Sequence, residues 1–157
     1  MIIMGIDPSL SSTGVVVAND KLVEVAVVIK SDTSKDTYDR INEITERVFD
    51  IALSKEPDLI VVEGIAFASF GSATRDLAGL HYNLVCCLRL GFETPIDIVP
   101  PTTLKKRSTG NGKAKKQDMY KALPEHIKEY FNNLDLKKTK GLYDVVDAYW
   151  LTQWKET

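Results

Sequence analysis

Two apolar runs in this chain each end on an acid. Ile2-Ile3-Met4-Gly5-Ile6 stops at Asp7-Pro8, and Leu59-Ile60-Val61-Val62 stops at Glu63-Gly64. Short unbroken apolar runs bounded by turn residues are the pattern of strands covered on both faces. The second run follows the stretch Ser34 to Lys55, where Ile41, Ile44, Val48 and Ile51 step by three, four and three residues, the stripe of one helical face. Strand, helix and strand in this order predict a parallel crossover. Parallel neighbours end at the same edge, and the carboxyl edge is where open α/β sheets place their sites. An ionised carboxylate at the rim of a core is costly unless a cation or hydrogen-bond donors meet it. Asp7 therefore predicts a helix N-terminus, a base or a metal beside it.

The rest of the chain fits around these two strands. Thr13 to Ala18 and Lys21 to Lys30 read as strands joined by the turn pair Asn19-Asp20, giving a meander with the first. Thr33 or Ser34 is the expected cap of the first helix, and Pro57 follows its end. A second helix runs from about Ala73 to Leu90 on the stripe Leu77, Leu80, Leu84 and Leu88, and Gly91 ends it. Pro95 to Pro101 is a short fifth strand cut off by two prolines. A glycine loop at Thr109 to Gly112 precedes a helix from about Lys115 to Leu123. Residues 124–139 are polar and irregular, with room for a short helix, and a last helix runs from near Gly141 to Trp154. The order βββαβαβαα predicts one α/β domain over residues 1–157, with a mixed five-stranded sheet flanked by helices.

Composition narrows the function classes. The 157 residues, 44% hydrophobic and 27% charged, suit one globular domain with a real core. No apolar run approaches the ~20 residues of a membrane span. The first residues lack the basic leader and cleavage site of a signal peptide, so a cytosolic protein is expected. Cys86 and Cys87 are neighbours, about 100° apart on a helix, and no other cysteine completes a zinc site. They read as buried filler in a reducing compartment. His81 and His126 stand alone and read as one core or interface histidine and one surface histidine. The net charge of −2 does not announce a nucleic-acid binder, but its distribution does. In Lys105 to Lys116 six of twelve residues are basic (Lys105, Lys106, Arg107, Lys113, Lys115, Lys116) and none is acidic. Lysines interleaved with glycines match the needs of phosphate contact.

The last helix adds Asp144 and Asp147, three apart and so on one face. Taken singly, each acid has an ordinary reading as a strand stop or as a residue favouring the helix dipole. Four carboxylates converging on one spot would repel unless cations neutralised them. Hard oxygen ligands suit Mg²⁺ or Mn²⁺, and two such ions about 4 Å apart form the clamp that nucleases use on phosphodiesters.

Four segments in register carry a family resemblance over nearly the whole chain. GIDPSLSSTG, VVEGIAF, DVVDA and TLKKRSTGNGKAKK resemble the motifs of the RuvC family of Holliday-junction resolvases, enzymes of ribonuclease-H-like fold. The resemblance implies Asp7, Glu63, Asp144 and Asp147 as ligands of two Mg²⁺ ions, with Mn²⁺ as a substitute. It also carries the family's DNA-binding and catalytic lysine roles onto Lys105 and Lys116. An aromatic past the second acid stacks at the junction centre in the family, and Phe67 or Phe70 could fill that role; the alternative is a core aromatic after a strand. The chain departs from the family at Ser9, where many bacterial members have glycine, a phage-like variation. It departs again in the second helix, where Leu80, His81 and Tyr82 follow Gly79.

The resemblance implies a homodimer that resolves four-way junctions by paired symmetric nicks, leaving 5′-phosphate and 3′-hydroxyl ends, in a bacterial or phage-infected cell. The altered second helix keeps open a looser choice of branched DNA, such as forks, flaps or Y-structures. A non-catalytic DNA-binding module on the same fold is the further alternative, against which the four intact acids count. GIDPSLSSTG also resembles the phosphate hairpin of actin-like ATPases, but those need two such domains and no basic segment, so no nucleotide cofactor is expected.

Overall fold

In the computed structural model, which describes residues 1–66, 71–136 and 141–154, the meander and the crossover share one sheet. Strands β1 (Ile2–Asp7), β2 (Thr13–Asn19) and β3 (Leu22–Ile29) run antiparallel in sequence. Strands β4 (Leu59–Glu63) and β5 (Ile96–Val99) add on parallel to β1, giving the order β3-β2-β1-β4-β5. β1 and β4 pair with Ile6 opposite Val62, so Asp7 and Glu63 are each the next residue at the same edge.

Side chains alternate across a strand, and that alternation decides which helices meet which residues. Met4, Ile6, Val15, Val17, Ile60 and Val62 face helices α1 (Thr37–Lys55) and α2 (Ser72–Gly91). Ile3, Val16, Val61 and Val99 face the opposite layer, made of α3 (Pro101–Thr109), α4 (Lys116–Lys121), α5 (Glu125–Asn132) and α6 (Leu142–Thr152). Asp7 continues the Ile3-Gly5 row and Glu63 continues the Val61 row. Both acids therefore project toward the layer that contains α6.

Four expectations need correction. The first helix begins at Thr37, and its cap is Asp36, whose carboxylate accepts the Asp39 N–H at 2.9 Å, not Thr33 or Ser34. Ser34 is taken up by a turn on Asp32 instead. Residues 101–109, expected as a strand end running into a loop, form α3. Pro101 starts this helix because the first turn needs no N–H from it. Residues 125–132 form the full helix α5, for which only room was seen. Cys86 is exposed and Cys87 half-buried, so they are not core filler. The inward stripe Leu80, Leu84 and Leu88 turns them away from the sheet. Among the described residues no helix is long and apolar enough to cross a membrane.

Candidate active site

Two glycines let α6 lie directly on the sheet. A Cβ on Gly5 would collide with the Ala148 carbonyl oxygen, and one on Gly14 with the backbone carbonyl of Asp144. Gly14 is also the register partner of Asp7. Close approach at these two points sets the first turns of α6 over the end of β1. Asp144 and Asp147 thus reach the edge already occupied by Asp7 and Glu63. Asp7 and Asp147 are 6% and 5% exposed. Ser12, in the turn after β1, donates its hydroxyl to Asp144 Oδ2 at 2.6 Å and fixes that carboxylate.

Lys116 completes the cluster from α4. Its Nζ lies 3.3 Å from Asp147 Oδ2 and 3.6 Å from Asp144 Oδ1. The lysine is held by the placement of its helix. Met119 is buried, and its carbonyl accepts the Trp150 indole N–H at 3.1 Å, which ties α4 to α6. At the start of α4 the Asp118 carboxylate accepts the Lys115 N–H at 2.9 Å.

The electrostatics follow from one cation among four acids. Burial raises the Asp7 carboxyl well above the usual range, and Glu63 and Asp147 raise it further against the pull of Lys116. Burial likewise pushes Asp147 up to about 6, with Lys116 lowering it and Glu63 and Asp144 raising it. Burial alone would lower Lys116, but Asp147, Asp7 and Asp144 outweigh it and hold the ammonium well above its usual value. Among the described residues no three side chains form a ready-made ligand cage, and Lys116 pairs with both Asp144 and Asp147. The donor set nevertheless suits a hard divalent cation. It is all oxygen, and Asp147 Oδ1 is buried with no hydrogen-bond partner. A buried, unsatisfied carboxylate oxygen is costly, and a cation at that oxygen removes the cost.

Glu63 and Asp147 open onto a cleft of about 240 Å³, lined also by Pro8, Leu77, His81, Lys105 and Lys116 among others. Lys105 on α3 and Lys116 on α4 both line this cleft. Lys106, Arg107, Lys113 and Lys115 are exposed and do not line the cleft. Arg107 stacks over the Trp154 ring at 4.2 Å. Phe67 and Phe70 lie outside the described residues.

The comparisons with known proteins give the family and the fold. The family model described as "Crossover junction endodeoxyribonuclease RuvC" matches residues 3–148. The chain belongs to the RuvC family. A RuvC of Rhodopirellula baltica is 29% identical over 150 residues, covering 93% of this chain and 80% of its own. A RuvC of Rickettsia conorii is 32% identical over 123 residues, covering 76% and 78%. Among solved structures, Thermus thermophilus RuvC in complex with Holliday junction substrate superimposes with a TM-score of 0.75 at 20% identity, over 97% of this chain and 90% of that one. A yeast mitochondrial Holliday junction resolvase gives 0.64 at 14% identity, over 96% and 75%. The RuvC fold, a mixed sheet flanked by helices, is the fold described above.

Two residues at the site of this RuvC family member escaped the sequence reading. Ser12 lies within GIDPSLSSTG, but nothing in its spacing points to a helix far along the chain. His81, 8% exposed, lines the cleft with neither ring nitrogen hydrogen-bonded. Its signal was present: it follows Leu77 by one helical turn and so borders the inward stripe of α2. His126 is exposed on α5.

Proposed function

We propose that this protein is a divalent-metal-dependent endonuclease that resolves four-way DNA junctions by paired nicks, with Asp7, Glu63, Asp144 and Asp147 as its metal ligands. The observation that carries the reading is the meeting of these four acids with Lys116 at the common carboxyl edge of β1 and β4, in a chain of the RuvC family. Two ions, Mg²⁺ with Mn²⁺ as substitute, match the number and hardness of the oxygens. When bound, such cations neutralise the carboxylates, activate the attacking water and stabilise the leaving oxygen.

The chain's own residues do the rest. Ser12 keeps Asp144 turned toward the ions. Lys116 neutralises the acids in their absence and meets the phosphodiester in their presence, and Lys105 meets it from α3. Lys106, Arg107, Lys113 and Lys115 contact flanking phosphates and position the duplex arms without reading their sequence. Phe67 or Phe70 stacks on a base at the branch point. A homodimer supplies two such sites, and its two-fold axis matches that of the junction, so the nicks are symmetric and leave 5′-phosphate and 3′-hydroxyl ends. The enzyme acts in the cytoplasm of a bacterial or phage-infected cell.

The test is cleavage of an end-labelled immobile four-way junction beside a Y-fork and a linear duplex, each with Mg²⁺, Mn²⁺ or EDTA. Symmetric metal-dependent nicks in the junction alone are expected. Equal cutting of the fork makes the protein a general branch nuclease, and binding without any cutting makes it a non-catalytic DNA-binding module.

A further inference from the structure

The turn between β1 and β2 carries Ser12, and α1 holds that turn from outside the acid cluster. Thr13 closes the turn at one point: its Oγ1 donates to the Ser9 carbonyl at 2.7 Å and accepts the Ser9 N–H at 3.1 Å. The second fastening is at Leu10, whose side chain packs on the core beneath α1 and α2. The Leu10 carbonyl accepts two hydrogen bonds, from Arg40 Nη2 at 2.9 Å and from Ser31 Oγ at 2.6 Å. Arg40 Nε donates to that same Ser31 Oγ at 2.9 Å. One guanidinium thus ties the fourth residue of α1, the segment after β3 and the turn after β1 into a single unit. Ser12 stands between the two fastenings, and its hydroxyl is the group that reaches Asp144 Oδ2.

Charge balance does not account for Arg40. Half-burying a guanidinium costs hydration, and a cation close to the N-terminal end of a helix opposes the helix dipole. Among the described residues Arg40 makes no ion pair that would offset either cost. Its side-chain hydrogen bonds go instead to two neutral oxygens of the unit that carries Ser12. The rigid fork of arginine holds two acceptors at once, which the single ammonium of a lysine does not reproduce. Without the fork the turn is free to shift and Ser12 with it. The Asp144 carboxylate then loses its fixed Oδ2, while its Oδ1 still faces Lys116 Nζ at 3.6 Å. We infer that Arg40 is a positioning residue for the cleavage site: from α1 it holds the turn after β1, so that Ser12 keeps Asp144 set to bind a divalent cation. This rests on the four acids being the metal site.

Mn²⁺ binding by the full chain without DNA is the first readout, with single-turnover cleavage and junction affinity in EDTA beside it. Arg40→Met keeps the stem and removes the fork. Ser31→Ala is the milder change and removes the hydroxyl that the fork shares. Arg40→Met is expected to weaken Mn²⁺ binding about tenfold and Ser31→Ala about threefold, with the cleavage rate falling alongside. Junction affinity in EDTA should stay within about twofold of the wild type, because the basic segment is untouched. The deciding comparison is a double-mutant cycle with Ser12→Ala. An effect that passes through Ser12 vanishes once Ser12 is gone, so adding Arg40→Met to Ser12→Ala should change Mn²⁺ affinity by less than about twofold. If Arg40→Met does not fold, Ser31→Ala carries the same cycle. An arginine that only supports the fold weakens both backgrounds equally, and that result overturns the proposal. So does a Ser12→Ala protein with unchanged Mn²⁺ affinity, or unchanged affinity in both Arg40→Met and Ser31→Ala. A loss of junction affinity as large as the loss of rate also overturns it, by making Arg40 a DNA contact. Failure of the metal site itself looks different: Asp144→Asn then binds Mn²⁺ as the wild type does, or the wild type binds none, and this proposal falls with that reading.

Discussion

At the scale of single residues, the site is a deliberate electrostatic debt held by one lysine. Asp147 titrates near 6 in the folded protein against 3.8 ordinarily, so between those values the native state holds a proton that the unfolded chain has released. The metal-free protein therefore loses stability as pH rises through that window. A bound divalent cation reverses the effect. Mg²⁺ is expected to raise the melting temperature more at about pH 7.5 than at about pH 5; an equal rise at both would contradict the reading of Asp147. Asp7→Asn removes a buried charge whose neighbours Glu63 and Asp147 repel it. It should abolish cleavage while stabilising the metal-free protein by roughly 1 kcal/mol, about 2–4 °C in melting temperature. Full activity in Asp7→Asn would sink the metal-site assignment. The four acids were legible because each sits at a strand end or shares a helix face with another. Ser12 was not, since its partner is fixed only by the contact of α6 with the turn after β1.

At the scale of elements, the decisive contact is α6 on the first two strands. Gly14→Ala forces a methyl into the backbone of Asp144, with a cost of about 1–3 kcal/mol or more. Because the displaced backbone carries Asp144, one of the proposed metal ligands, cleavage should fall by more than the loss of folded protein explains. Gly71→Ala, at the N-cap of α2 where a Cβ meets nothing within 4 Å, is the control; it should cost no more than about 1 kcal/mol through the helix cap and leave cleavage per folded protein unchanged. Urea unfolding and single-turnover cleavage of both variants check the pair. The strands and long helices were readable from their apolar periodicity. Helix α3 was not, because of its nine residues Leu104 alone is buried and its charged run has no stripe to detect. Pro101 was taken as a stop for the strand before it, when it is also a start for the helix after it. Asp36 was missed for a similar reason: Thr33, Ser34 and Asp36 are all competent caps, and the turn on Asp32 claims Ser34.

At the scale of the whole molecule, a net charge of −2 hides a basic, largely exposed segment running through α3, the Gly110 loop and the start of α4. Junction affinity should fall steeply with salt, and Lys106→Ala or Lys113→Ala should each lower the log–log slope by about 1 while leaving the cleavage pattern unchanged. Titrations across a salt series measure this directly, and an unchanged slope would take those side chains off the DNA. The placement of the acids has a separate consequence. Asp7 and Glu63 are mounted on β1 and β4, strands with neighbours on both sides, where Ile6, Ile60, Val61 and Val62 are wholly buried. Amides of central strands exchange their hydrogens only when a domain opens globally. The edge that carries Asp7 and Glu63 therefore belongs to the last part of the molecule to come apart, and on heating, activity and fold should be lost together.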